Sequence, residues 1–198
     1  VDAIGVRWIG MYYNGARTIN LTSDKEITCP ADLKGVQLRM PNSEAFVNLG
    51  KAMGCSPVAM DLSEVYTALQ NGTVDGQDNP LPTILANKYY EVTSSITLSK
   101  HIISENSVFI ADNFYQGLSE DERQIVDDGV KLLCDTVTKV VTDQENSCAE
   151  ELKSYGITIY EPDMSQMREE VIAWYYDNPD SMAGWDMEIL DQIINFNN

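Results

Sequence analysis

The chain has few residues that bind metals or activate nucleophiles. It contains a single histidine, His101, and its four cysteines show no CxxC spacing. A structural zinc site needs four His or Cys ligands, usually in closely spaced pairs, so neither a metal nor a cofactor is predicted. A lone histidine also has no evident partners for a catalytic triad.

The cysteines do not suggest a disulfide framework. Cys134 and Cys148 lie on one predicted helix, about 21 Å apart at a rise of about 1.5 Å per residue, so they cannot bridge each other. A disulfide between Cys29 and Cys55 is an alternative. Buried free thiols are the expected state of the four cysteines.

Positive charge is also scarce. Against 31 acidic residues there are 13 basic ones, and the formal net charge is −18. Long-range repulsion therefore opposes binding to nucleic acid and to anionic membranes, and no nucleic-acid partner is expected. No basic residue lies between Lys51 and Lys88, and three of the five arginines lie within the first 39 residues. An anionic ligand needs local positive charge, which this early region can supply.

Long apolar runs are absent as well. No stretch of about 18 apolar residues suggests a transmembrane helix. The opening VDAIGVRWIG lacks the basic start and long apolar core of a signal peptide. Either the mature protein starts here or its start has been removed.

The most informative motif is DLKGVQLRMPN, residues 32–42. Its apolar residues alternate with Gln37 and Arg39, which predicts a strand over 36–40, and Pro41 ends it. Asn42 or Ser43 can cap the helix predicted at about 43–53. A guanidinium beside a helix N-terminus suits a carboxylate, since it can donate two parallel hydrogen bonds. A surface ion pair with one of the many acids is the alternative for Arg39.

A second motif, NGTVDGQDNP at residues 71–80, carries Asn79. Pro80 biases Asn79 away from helical angles, so QDNP is predicted as a turn after a short extended segment. The order strand, helix, strand, helix indicates α/β units with binding loops at the carboxyl ends of strands. Arg39 and Asn79 are then expected at one edge of the sheet.

The remaining elements are predicted from periodicity and caps. A strand is expected before a turn at Asn14–Gly15, and another at 56–60 with a helix capped by Asp61 or Ser63 after it. Residues 93–112 suggest two extended runs separated by ISENS. A capping box at Ser119 and Glu122 predicts a helix of over thirty residues ending near Gly156. The strand ITIY and helices at 164–177 and 181–194 complete the prediction.

Together DLKGVQLRMPN, SEVYTALQNGTVDGQDNP, the Tyr-Tyr of NKYYEV and the helix after LSEDER resemble one known family. It is the DctP type of extracytoplasmic solute-binding protein, which serves TRAP transporters. The resemblance implies an α/β, periplasmic-binding-protein-like (type II-like) lobe with a long lobe-spanning helix, the other lobe being largely missing. It assigns 10–105 plus 148–198 to a carboxylate-binding lobe. Residues 1–9 plus 106–147 are then a remnant of the second lobe and the connecting helix.

The resemblance also implies a set of ligand contacts. Arg39 would make the main bidentate contact to a substrate carboxylate, and Arg17, after the Asn-Gly turn, would assist it. Asn79 would donate to the same carboxylate, with Asn42 close by. Leu62 stands where an aromatic residue often packs on the ligand, which departs from the family pattern.

The function implied is capture of a small organic acid and its delivery to the membrane subunits of a TRAP transporter. The expected location is extracytoplasmic, in the periplasm or at the cell surface. One alternative is a truncated structural remnant, possible as a homodimer, with weak or no ligand binding. An enzyme using Asp61, Glu64, Asp75 and Asp78 as acid and base is disfavoured, because an acid such as Glu64 in a first helical turn simply suits the helix dipole.

Overall fold

The computed structural model describes residues 4–196 and contains a six-stranded mixed sheet in the order β3-β2-β4-β1-β5-β6. Strands β2, β3 and β4 run parallel, β1 is antiparallel to both β4 and β5, and β6 is parallel to β5. The strands are β1 (Val6–Leu21), β2 (Gln37–Met40), β3 (Ser56–Ala59), β4 (Gly76–Pro80), β5 (Ser95–Ala111) and β6 (Thr158–Tyr160). Residues 1–3 of the strand predicted from Val1 lie outside the described residues.

Helices connect the strands and complete the C-terminal part of the chain. None in the described range is both long and apolar enough to span a bilayer. They are α1 (Glu44–Ala52), α2 (Val65–Gln70), α3 (Leu81–Ala86), α4 (Asp112–Gly117), α5 (Glu120–Ser154), α6 (Ser165–Asp177) and α7 (Met187–Asn195).

The last helix starts later than predicted. Pro179–Met182 forms a 3-10 turn, and α7 begins only after Asp186, whose side chain accepts hydrogen bonds from the amides of Glu188 and Ile189. This N-cap satisfies backbone donors that would otherwise lack partners at the helix end. A local cap therefore overrides the apolar periodicity that suggested a start at 181.

Strands β1 and β5 are continuous, so two predicted breaks are wrong. Neither the turn at Asn14–Gly15 nor the gap at ISENS interrupts them. Instead, the β1–β5 register shifts between Tyr13 and Ala16, with Gly15 at φ +101°. Glycine tolerates this left-handed geometry, and a bulge accommodates extra residues without ending the ladder.

A side chain of α5 stabilises this bulge. Glu145 accepts hydrogen bonds from the Ala16 amide at 2.8 Å and from the Tyr13 hydroxyl at 2.6 Å. Burial, together with the neighbouring carboxylate, raises the pKa of Tyr13. The middle of β1 is thus attached to the long helix.

Helix α5 confirms the predicted capping box and length. It spans 35 residues, the Ser119 hydroxyl accepts from the Glu122 amide, and the Glu122 carboxylate accepts from the Ser119 amide at 2.8 Å. Near its C-terminus, Cys148 and Leu152 are buried against the sheet. Cys134 is buried as well, and Thr138 Oγ1 accepts from the Tyr13 amide at 3.2 Å, so the helix is held along its middle and its last turns.

The two apolar clusters of the core follow strand alternation, because successive side chains point to opposite faces. One contains Ile96 and Leu152, and the other contains Ile19, Leu38 and Met53. All four cysteines are free thiols, as predicted, and three of them, Cys55, Cys134 and Cys148, are buried.

Candidate anion-binding site

The carboxyl ends of the parallel strands β2, β3 and β4 meet at one edge of the sheet. Arg39 is the penultimate residue of β2, and Asn79 is the penultimate residue of β4. Asn42 and Leu62 follow the ends of β2 and β3. Four of the five predicted ligand contacts therefore lie at the same edge, where open α/β sheets commonly bind ligands. The fifth, Arg17, is the register partner of Pro80 and reaches the same edge from β1.

Asn79 reaches this edge from a strand, and the predicted QDNP turn is wrong. Residues Gly76–Pro80 form β4, which pairs with β2 on one side and β1 on the other. Pro80 is tolerated because it is the last residue of the strand, where a missing donor costs little. Pairing on both sides outweighs the local turn preference of Asp, Asn and Pro.

The Arg39 guanidinium is hydrogen-bonded to the main chain just after β3. Its Nε donates to the Met60 carbonyl at 2.9 Å, Nη2 donates to the same oxygen, and the residue is 3% exposed. Among residues 4–196, Nη1 has no hydrogen-bond partner, and no buried side-chain N or O atom lacks one, so Nη1 reaches solvent. The outer edge of the guanidinium, Nη1 and Nη2, is therefore available to a carboxylate.

The charge environment of Arg39 is mixed. Burial lowers the pKa of Arg39, the negative charge of Asp78 opposes this, and the positive charge of Arg17 lowers it further. An arginine keeps its proton at any physiological pH despite such effects. A buried cation whose direct partner, in the part of the chain that the structure describes, is one carbonyl provides an electrostatic reason to bind an anion.

Asn79 and Arg39 are linked through Gln77. The Asn79 amide nitrogen donates to Gln77 Oε1 at 2.6 Å, and Gln77 is the register partner of Arg39 on the adjacent strand. Gln77 is fully buried and Asn79 is 5% exposed. Gln77 therefore lies between the two predicted contacts.

Arg17 lies on the opposite face of the sheet and has a different partner. It forms an ion pair with Asp78, with Nε to Oδ2 at 2.6 Å and Nη2 to Oδ1 at 3.0 Å. The guanidinium also lies over the Phe46 ring, 5.1 Å from its centroid. Its contact with a ligand stays a prediction, because two of its three nitrogens already bind Asp78.

Asp78 is buried and has a second partner besides Arg17, His101, which is bonded in turn to Ser99. His101 Nε2 lies 3.3 Å from its Oδ2, and Ser99 Oγ lies 2.7 Å from His101 Nδ1. Burial alone would raise the pKa of Asp78, but hydrogen bonds from His101 and Arg17, with their charges, lower it to about 2. Asp78 is thus a fixed negative charge beneath the site.

The two remaining predicted contacts are exposed. Asn42 lies in the loop before α1, and Leu62 is 44% exposed. The Leu62 carbonyl lies 3.5 Å from the hydroxyl of Tyr89, a buried aromatic side chain. Burial raises the pKa of Tyr89, and the Arg39 charge opposes the rise. The motif NKYYEV contains Tyr89, but nothing in its spacing indicated proximity to Arg39.

A cavity of about 630 Å³ lies elsewhere, between α1, α6, α7 and the Ser99–His101 segment. Its lining is mainly apolar and does not include Arg39 or Asn79. We place the site at the sheet edge, because the predicted polar contacts converge there and not in the cavity.

The acids of the enzyme hypothesis do not form a pair. Asp78 is bound to Arg17, Asp75 accepts from the Gln37 amide at 2.8 Å, and Asp61 and Glu64 are exposed. Within residues 4–196, no group of three His, Cys, Asp or Glu residues is placed to hold a metal ion. The four acids are therefore either exposed or engaged by other groups.

Residues 1–178 match the model of DctP, the bacterial extracellular solute-binding protein family 7. The chain belongs to this family. It is 38% identical over 169 residues to the sialic acid-binding periplasmic protein SiaP of Vibrio cholerae. The match covers 85% of this chain and 52% of SiaP. The DctP family resemblance drawn from the motifs is confirmed.

Solved structures of family members share the fold. A TRAP periplasmic solute-binding protein from Roseobacter denitrificans, with bound 3-deoxy-D-manno-oct-2-ulosonic acid, superposes with a TM-score of 0.90 at 37% identity. The match covers 97% of this chain and 64% of that one. The ectoine-binding protein of Halomonas elongata superposes with a TM-score of 0.83 at 25% identity, over 96% of this chain and 63% of that protein. The chain thus spans roughly half to two thirds of the length of these relatives.

Proposed function

We propose that this chain is the carboxylate-binding part of an extracytoplasmic solute-binding protein, which captures an organic acid and delivers it to the membrane subunits of a TRAP transporter. The observation that carries the proposal is the Arg39 guanidinium, buried and anchored on one side by the Met60 carbonyl. Its free outer edge matches the two oxygens of a carboxylate.

Sugar acids are the first ligands to test. SiaP is named for sialic acid, and the Roseobacter denitrificans structure contains 3-deoxy-D-manno-oct-2-ulosonic acid. Both acids carry a carboxylate on the carbon that closes the sugar ring, next to a ring oxygen. Arg39 and Asn79 at one sheet edge provide donors for that carboxylate, while the two exposed residues Asn42 and Leu62 lie beside it.

The proposal is tested by calorimetric titration of the chain with these two acids, and with succinate and galacturonate for comparison. Arg39→Ala is expected to lose about 2 kcal/mol of binding, roughly thirtyfold, because the carboxylate would be left under-paired. Arg39→Lys is expected to bind poorly too, since an ammonium cannot form the two parallel bonds. Arg7→Ala is the control, because Arg7 pairs with Asp112 away from this edge. Equal affinity of Arg39→Ala and wild type would overturn the assignment.

A homodimer with weaker ligand binding is the second candidate. The register partners Trp8 and Phe109 are 51% and 56% exposed and offer an apolar contact surface on the β1–β5 ribbon. Exposed aromatic pairs of this kind often mark protein contacts. Light scattering of the chain should then give twice the monomer mass, and Trp8→Ser should restore the monomer mass. A monomer across the micromolar range would rule this candidate out.

A further inference from the structure

Three side-chain amides form a continuous hydrogen-bonded row inside the sheet, in contact with the candidate site. Asn79 Nδ2 donates to Gln77 Oε1 at 2.6 Å, and Gln77 Nε2 donates to Asn20 Oδ1 at 3.0 Å. Asn20 Nδ2 then donates to the Ser95 carbonyl at 3.0 Å. Asn20 and Gln77 are fully buried. We call this row the amide relay.

The Ser95 carbonyl sets the direction of every hydrogen bond in the amide relay. The Ser95 carbonyl can only accept, so Asn20 must turn its nitrogen toward it and its oxygen toward Gln77. Gln77 must then donate from its nitrogen to Asn20. The oxygen of Gln77 therefore faces Asn79. By the same reasoning Asn79 must present its nitrogen to Gln77. One backbone carbonyl on β5 therefore decides which way an amide at the edge of β4 faces.

Reversing one amide would be costly, because each member is buried. A flipped Asn79 would place its oxygen against Gln77 Oε1, and two acceptors would face each other without a proton. Leaving buried polar atoms unpaired costs more than a single hydrogen bond contributes. The orientation of Asn79 is thus determined before any ligand arrives.

We propose that Asn20 and Gln77 are positioning residues for Asn79, and that the amide relay keeps the nitrogen of Asn79 beside Arg39. Gln77 is the register partner of both Asn20 and Arg39, so the relay runs along the row of residues that ends at the guanidinium. The remaining Nδ2 hydrogen of Asn79 is then available to an anion on that side. The inference rests on the proposed carboxylate-binding function, and it adds two residues that do not touch the ligand.

The first test needs no ligand. The Asn79 side-chain amide proton that is hydrogen-bonded to Gln77, assigned by NMR with Asn79→Ala, should exchange with solvent more slowly than the other proton of the same amide in the wild-type chain. Asn20→Leu and Gln77→Met should abolish this protection. Ser95→Ala is the matched control, because it removes the buried hydroxyl that donates to the Ser23 carbonyl at 2.8 Å but keeps the Ser95 carbonyl that anchors the relay. Equal, fast exchange of both Asn79 side-chain amide protons in the wild-type chain would overturn the proposal, even if no variant folded.

The second test is a double-mutant cycle in ligand affinity, with sialic acid and 3-deoxy-D-manno-oct-2-ulosonic acid as probes. Loss of preorganisation in Gln77→Met or Asn20→Leu should weaken binding about tenfold. The same substitutions should leave affinity unchanged in an Asn79→Ala background, because they act through Asn79. A merely destabilising effect would appear in both backgrounds.

The outcomes separate this inference from the proposed function. If the wild-type chain binds neither acid, the ligand proposal fails, and the exchange measurement still decides whether the amide relay orients Asn79. If the chain binds but Gln77→Met keeps full affinity, or if the loss persists in the Asn79→Ala background, the positioning role is wrong while the carboxylate site stands.

Discussion

Arg17 and Asp78 form a buried, bidentate ion pair on the face of the sheet opposite to Arg39. The two arginines at this edge therefore differ in their partners. Arg39 binds the neutral Met60 carbonyl through Nε and Nη2, whereas Arg17 is neutralised by a carboxylate. The first is suited to a ligand and the second to stabilising the strands that carry the site.

Removal of Arg17 should affect stability strongly. Arg17→Met is expected to lower the free energy of unfolding by about 3–5 kcal/mol, because it leaves the Asp78 charge buried without its main partner. Urea denaturation at neutral pH measures the change. Arg7→Met is the control, since its pair with Asp112 is part-exposed and should cost under about 1 kcal/mol. Similar losses in the two variants would contradict this division of roles.

Acid should expose the contribution of Asp78. Its pKa is lowered from 3.8 to about 2, so its stabilising effect is present above about pH 4 and is lost as the pH falls toward 2. The free energy of unfolding that is lost in this way amounts to about 2 kcal/mol. Asn at position 78 cannot titrate between pH 4 and 2. Over this range the unfolding free energy should therefore fall by about 2 kcal/mol more in the wild type than in Asp78→Asn. Parallel curves for the two proteins would show that the pair does not depress the pKa.

Two glycines should respond in opposite ways to alanine. A Cβ at Gly76 would lie 2.5 Å from Leu21 Cδ2 and 2.6 Å from the Asn20 carbonyl, so Gly76→Ala should destabilise by about 1–3 kcal/mol. A Cβ at Gly129 in α5 meets nothing within 4 Å, so Gly129→Ala should stabilise by about 0.5–1 kcal/mol. Thermal denaturation of both variants checks the signs, and a stable Gly76→Ala would mean that β1 and β4 can move apart.

An aromatic side chain at position 62 should improve ligand binding. Leu62 is 44% exposed beside the end of β3, and a ring there could cover the apolar face of a sugar acid. Leu62→Phe is expected to tighten binding of sialic acid by about three- to tenfold. Ile125→Phe, on the exposed side of α5, controls for added aromatic surface. Unchanged affinity in Leu62→Phe would indicate that the ligand does not extend toward residues 62–64.

Elements defined by nearby residues could be predicted from the sequence. The alternation around Arg39 predicted β2, and Ser119 with Glu122 predicted the start of α5, because a strand face and a capping box depend on residues a few positions apart. The order strand, helix, strand, helix then placed Arg39 and Asn79 at one edge. Each of these inferences needed only a short window of sequence.

Features that depend on distant partners could not be predicted. QDNP has the composition of a turn, but pairing with β1 and β2 makes it a strand. Asn14–Gly15 has the composition of a hairpin turn, yet Glu145, far along the chain, stabilises it as a bulge. The ion pair of Arg17 with Asp78 likewise joins two residues 61 positions apart. In each case a tertiary contact outweighs a local preference.

The hydrogen bonds that Glu145 accepts attach the long helix to the β1 bulge. From Glu145 to the start of α5 at Glu120 the helix extends about 38 Å at 1.5 Å per residue. Along that length Thr138 Oγ1 accepts from the Tyr13 amide at 3.2 Å and Cys134 is buried, while Glu145 holds the amide of Ala16, directly next to Arg17. The contacts that seat the long helix on β1 are therefore largely the same contacts that shape the strand beside Arg17.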